Sequence, residues 1–286
     1  ERGEPAQVAI VIGMDPLLTL AAGTPVPADE EGMAEFEAAG GWRGRPTELV
    51  KCETSDVLVP ANAEYILEGE VRPGELTSEG PHGESVGFYG ANENCWVVHI
   101  NAITHRKDAI NYGLICQLIE DYPRSLLRSG SFQTLLARKT NLTQIKETYF
   151  PEVGRLGMLI VRADIQSAED PQRIMDAVWA NGNWRWVIVV DEDCDVRNWN
   201  DVMWRVVSVA DPDKAQVVMG QILERDHTEP EDEWDYICPA RGMGIDATMK
   251  FKDQQFFPPV NRVGNELRAK VASRWSELGL RAGPLP

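Results

Sequence analysis

The residues whose types and spacing carry the most chemistry are Glu79-Gly-Pro-His-Gly-Glu84, running on into Ser85-Val-Gly-Phe-Tyr89. Between the two carboxylates stand residues that suit neither a helix nor an extended strand. Gly80 and Gly83 open backbone angles that other residues resist, and Pro81 fixes one. A bend specified in this way can aim both acids at one place. Carboxylates that share a cleft can split their pKa values, so that one stays protonated and donates while the other stays charged. The plainer reading is a surface turn with two solvated glutamates, and the hexapeptide by itself favours it.

Other candidates are weaker. Glu35 lies on a polar stretch, where a single glutamate is ordinarily solvated. His82, His99, His105 and His227 show no metal-ligand spacing, and His99 alternates with apolar neighbours as a strand histidine does. Asp191-Glu-Asp-Cys-Asp195 could take a divalent cation, but it lacks the glycine and closing glutamate of a calcium loop. A solvated strand-end loop is the expectation there. Trp179, Trp184, Trp186, Trp199 and Trp204 read as a core cluster rather than a ligand box. There is no GxSxG, P-loop or GxGxxG.

The elements that must position these residues fall into two textures. Val8–Ile12 is a β-branched run, as in a strand covered on both faces. Leu17–Ala22 is a short helix, stopped at Gly23-Thr-Pro-Val-Pro27, and an acidic loop over Ala28–Ala39 leads to another. Glu48–Thr54, Val57–Val59, Glu64–Val71 and Cys95–Thr104 read as strands, so the first ~105 residues suggest a barrel-like or mixed sheet. From Asn111 helices alternate with strands. Helical spacing covers Tyr112–Glu120, Ser131–Thr140, Pro171–Ala180 and Asp201–Val209. Strands cover Leu156–Val161, Trp186–Val190 and Ala215–Met219, and Leu223–Trp234 reads as an acidic loop. Gly242–Thr248 is a turn into a short extended piece, and Asn261–Leu278 is a helix ended by Gly279.

A chain of 286 residues can bury a large core and suggests two domains, or one with an appendage. Its net charge of -17 argues against binding nucleic acid or an anionic membrane through bulk electrostatics. No apolar run approaches the ~20 residues that span a bilayer. Five scattered cysteines without a CxxC suit reduced thiols in a cytoplasmic protein. The chain opens at Glu1 with a strand close behind, which suggests that sequence has been lost ahead of it.

Several phrases together resemble the C-terminal half to two-thirds of the UbiD family, the prenylated-flavin-dependent reversible decarboxylases. They include Val11-Ile-Gly-Met-Asp-Pro16, Thr24-Pro-Val-Pro27, Glu48-Leu-Val-Lys-Cys-Glu-Thr54, Val59-Pro-Ala-Asn-Ala-Glu64, Leu67-Glu-Gly-Glu70, Glu79–Glu84, Ile103-Thr-His-Arg106 and Gly244-Ile-Asp-Ala-Thr248. The resemblance implies an α+β and α/β architecture. Part of a prenylated-FMN-binding split β-barrel would occupy 1–110 and an α/β oligomerisation domain 111–240. A linker and a C-terminal helix that packs on a partner subunit would occupy 241–286.

It also implies a function, non-oxidative decarboxylation of an aromatic, heteroaromatic or α,β-unsaturated acid with prenylated FMN, Mn2+ (or Mg2+) and K+. Glu84 would be the proton donor, and Glu79 would hold an arginine that clamps flavin and substrate. Glu35 would ligate the metal, and Gly23, Thr24 and Pro25 would lie against the flavin through backbone groups. The resemblance puts the family's arginine and its asparagine and histidine metal ligands ahead of Glu1, in missing sequence or a companion chain. No lysine stands near Val178–Gly182, where the family's phosphate-contacting lysine falls, which leaves Arg173 or Arg185 as substitutes. His82 replaces the phenylalanine that often stands between the two glutamates. A homodimer or higher oligomer is expected. A non-catalytic or accessory subunit that kept the fold is the alternative.

Overall fold

The computed structural model describes residues 3–23, 35–83, 89–113, 121–154, 157–182, 184–211, 216–218, 242–249, 261 and 263–279. The first part contains β1 (Ala6–Ile12), α1 (Pro16–Ala22), α2 (Glu35–Arg43), β2 (Leu49–Lys51), β3 (Leu58–Pro60), β4 (Tyr65–Gly83) and β5 (Tyr89–His105). Asp15 starts α1 by accepting a hydrogen bond from Leu17 N at 2.9 Å, with Pro16 as the first helical residue. The strands form an antiparallel sheet in the order β1-β4-β5, and β2 pairs with β3 in a separate ribbon. The two-sided cover expected for β1 is not found. It is an edge strand of this sheet, with Ile10 42% exposed. A β-branched run specifies extended backbone but not which faces are covered.

Strands β4 and β5 are far longer than the expected Glu64–Val71 and Cys95–Thr104. Their pairing shifts register four times, between Glu68 and Gly69, Val71 and Leu76, Thr77 and Glu79, and Glu79 and His82. Such bulges absorb the irregular residues around Pro73 and Pro81 while the ladder continues. At Gly69 the strands approach so closely that a Cβ would meet His99 O at 2.3 Å.

The second part contains α3 (Asp121–Lys139), β6 (Ile145–Tyr149), β7 (Met158–Ala163), α4 (Asp170–Trp179), β8 (Trp186–Asp191), α5 (Trp199–Val209), β9 (Gln216–Val218) and β10 (Gly242–Asp246). Its five-stranded sheet runs β6-β7-β8-β10-β9. The three central strands are parallel, and the two edge strands are antiparallel. The expected α/β layer is therefore present. Leu159, Val161, Ala163, Val187 and Val189 pack with α3 and α4, through Leu136, Ile174 and Val178. The alternate residues Ile160, Ile188 and Val190 pack with α5 through Val202. A continuous apolar run in β7 or β8 thus fills two cores, as a strand covered on both faces requires.

Four expectations change here. Strand β6 has no apolar signature in the sequence, because Lys146, Glu147 and Thr148 interrupt the pattern. Strand β10 begins at Gly242 itself, where a turn was expected. A Cβ at Gly242 would meet Trp179 Nε1 at 2.7 Å, and one at Gly244 would meet Met175 Sδ at 2.4 Å, so these glycines permit close helix–strand packing. Helix α3 is continuous from Asp121, with Pro123 in its first turn. Residues 112 and 113 are not helical, and the rest of the helix expected over Tyr112–Glu120 lies outside the described residues, as does the loop expected over Leu223–Trp234.

The chain divides into two units, Glu1–Lys250 and Phe251–Pro286. The second contains α6 (Asn265–Ser273), half the length expected for Asn261–Leu278. Arg274 closes this helix, and turns continue to Gly279, at φ +71°. No helix among the described residues is long and apolar enough to cross a membrane.

Candidate functional site

Glu79 lies within β4, on the outer arm of the β4–β5 hairpin, and is solvent-exposed. The expectation that Gly80–Gly83 would leave extended geometry is corrected, since the strand runs through to Gly83. Gly80 takes φ +93° against β5, and a Cβ there would meet Gly90 O at 2.8 Å. Only glycine fits both that angle and that approach. The backbone beside Glu79 is therefore tightly specified, though as a bulged strand rather than an open bend. His82 pairs with Gly90 on the same arm. Cys95 donates its thiol proton to Glu79 Oε2 at 2.9 Å. Glu84, Thr24 and Pro25 lie outside the described residues.

The remaining expected site residues stand apart. Glu35 is exposed in the first turn of α2, and no hydrogen bond or ion pair joins it to Glu79. Gly23 caps α1, its N–H donating to Leu20 O at 3.3 Å. That donor is used by the helix end. Among the described residues no group of three or more His, Cys, Asp or Glu side chains could hold a metal ion. A single exposed carboxylate falls short of the six oxygen donors of a typical magnesium site, so the described residues do not fit a metal by themselves. Beside Glu35, an apolar groove of about 470 Å³ is lined by Phe36, Gly40, Pro46 and Leu49 among others. Of the two arginines expected to replace the missing lysine, Arg173 is mostly exposed and pairs with Asp170 at 3.3 Å.

Two polar clusters have no signature in the local sequence, because most of their partners come from other segments of the chain. Glu68 is buried and accepts from Glu53 N at 2.9 Å, Thr54 N at 2.7 Å and Thr54 Oγ1 at 2.6 Å. The Thr54 hydroxyl foremost, with the two backbone donors, holds its carboxyl below the usual range despite burial. Burial, and then the charge of Glu68, push the neighbouring Cys52 thiol up. In the second cluster Arg205 is fully buried, its guanidinium 3.3 Å from Asp191, 2.7 Å from Asp193 and 3.9 Å from Asp201. Asp191 also accepts from Met249 N at 2.7 Å. The acidic run Asp191–Asp195 is therefore no merely solvated loop, since its first residue is buried against an arginine. A cleft of about 240 Å³ opens there, at the C-terminal ends of β7 and β8. The tryptophans divide as well. Trp179 and Trp184 belong to one core and Trp199 to the other, while Trp186 and Trp204 are exposed at 38% and 42%.

Comparison with known proteins gives this geometry a family context. Residues 1–117 match the Rift-related domain of 3-octaprenyl-4-hydroxybenzoate carboxy-lyase, and residues 126–247 match its C-terminal domain. Among solved structures, the chain is 26% identical to an evolved dimeric form of the UbiD-class enzyme HmfF from Pelotomaculum thermopropionicum, in complex with prFMN. That match covers 93% of this chain and 56% of the other at a TM-score of 0.72. It is 27% identical to vanillic acid decarboxylase from Sedimentibacter hydroxybenzoicus in open form, covering 96% and 59% at a TM-score of 0.73. A 3,4-dihydroxybenzoic acid decarboxylase from Enterobacter cloacae, at 23% identity and a TM-score of 0.75, shares the fold over 96% of this chain and 59% of its own. The chain thus spans 56–59% of the length of these structures.

Proposed function

Because the chain belongs to the UbiD family of carboxy-lyases, we propose that it carries part of the site of a non-oxidative, reversible decarboxylase. Its substrate would be an aromatic, heteroaromatic or α,β-unsaturated carboxylic acid. The observation that carries this reading is the match to both domains of one carboxy-lyase, in order, along the chain. The likeness to a vanillic acid decarboxylase supports an aromatic acid, and the matches do not favour a non-catalytic subunit. Loss of CO2 leaves an electron pair on carbon, and prenylated FMN, when bound, is the sink that no side chain offers.

The chain's own residues would then manage protons and position. Glu84 donates the proton that replaces CO2, a step that general acid catalysis accelerates by about 10²–10⁴-fold. Glu79, on its specified strand, holds an arginine supplied from beyond the described residues. Gly23, Thr24 and Pro25 line the flavin through backbone groups, and Arg173 or Arg185 serves its phosphate. Glu35 contributes one carboxylate to Mn2+ or Mg2+, with K+ nearby, only where further ligands join it from outside the described set. The same reading divides the chain near residues 110 and 240, into barrel, α/β oligomerisation domain and terminal helix. It makes the assembly a homo-oligomer, with the rest of each site supplied by further sequence or a companion chain.

The test uses the complete enzyme with every polypeptide it needs. Glu84→Gln should lower CO2 release by about 10²–10⁴-fold while the visible flavin spectrum persists. Unchanged turnover would remove Glu84 from the acid role, and a wild type that takes up no flavin would remove the decarboxylase reading.

A further inference from the structure

Cys95 is half-buried on β5, while Cys52 and Cys194 are buried elsewhere in the first unit. Thr77 and Cys95 are cross-strand partners, and the pairing then shifts so that Glu79 stands opposite Asn92. Glu79 follows Thr77 by two residues, so it lies diagonally across from Cys95 even though an extra residue on β5 puts Asn92 opposite it. The Sγ to Oε2 distance of 2.9 Å is the result. A glutamate on an exposed strand otherwise samples many rotamers, and one bound oxygen limits them while the second stays available. A carboxylate beside a thiol disfavours the thiolate.

We propose that Cys95 is a positioning residue for Glu79, its thiol proton holding Oε2 so that Oε1 faces the arginine expected to join the site. This rests on the reading of Glu79 as a site residue, whereas the contact itself does not. Its test therefore has one arm that needs no activity. In the complete enzyme, iodoacetamide alkylation of Cys95 is followed by peptide mass spectrometry at one fixed pH. Glu79→Gln removes the neighbouring charge and should speed alkylation at Cys95 by about 3–10-fold, leaving Cys52 and Cys194 slow. An unchanged rate at Cys95 overturns the contact and the proposal with it.

The second arm reads kcat and KM separately. Cys95→Ala should lower kcat several-fold with KM unchanged, and Cys95→Ser, whose hydroxyl donates at the same place, should recover most of it. Equal losses in both variants, or no loss in either, overturn the positioning role. A wild type without turnover overturns the decarboxylase reading and the positioning role together, while faster alkylation in Glu79→Gln would still hold for the contact.

Discussion

Glu68 shows what a buried acid needs in this fold. Its carboxylate, on β4, is satisfied by the backbone and hydroxyl of a loop fourteen and fifteen residues away. Its carboxyl is held below the ordinary range, so the stability it contributes is present in full above about pH 4.3. That stability is lost as the pH falls through the lowered folded value. Glu68→Gln should therefore cost about 2–3 kcal/mol at pH 7, measured by urea unfolding. The gap to wild type should narrow towards pH 3 and below. A gap independent of pH would mean that shape, and not charge, is what the loop requires. Glu79 is the contrasting acid, exposed on its strand and bound by a thiol in place of backbone donors.

Among the elements, α5 and the end of β8 share one buried cation. Arg205 reaches from α5 to the end of β8 and faces Asp191, Asp193 and Asp201. Removing one partner of a buried ion pair leaves uncompensated charge, at a cost of about 3–5 kcal/mol. Arg205→Leu should lower the urea midpoint accordingly. Pairing it with Asp191→Asn should restore part of the loss, because the orphaned carboxylate is gone. A fully additive double variant would show that the charges do not cooperate. The bulged β4–β5 hairpin illustrates the converse, an element held by backbone pairing through residues that a simple alternation rule would exclude.

At the scale of the molecule, α6 carries exposed apolar residues at helical spacing, Leu267 at 54% and Val271 at 37%, with Val263 and Leu278 on its flanks. In the proposed homo-oligomer this stripe would be the contact with a partner subunit. Leu267→Glu should then lower the particle mass in light scattering without changing the unfolding midpoint of the first unit, and an unchanged mass would remove that role. Local chemistry determined the family, the parallel strands β7 and β8, the helices that flank them, and the start of α1, because apolar periodicity, caps and motif order are written in neighbouring residues. Tertiary structure alone decided that Gly80–Gly83 continues a strand, that Gly242 opens one, and that Glu68 and Arg205 are buried with their partners. It also decided that Cys95 meets Glu79. Each of these depends on which backbone or side chain from another element arrives at the position, and such a meeting leaves no local trace in composition or period.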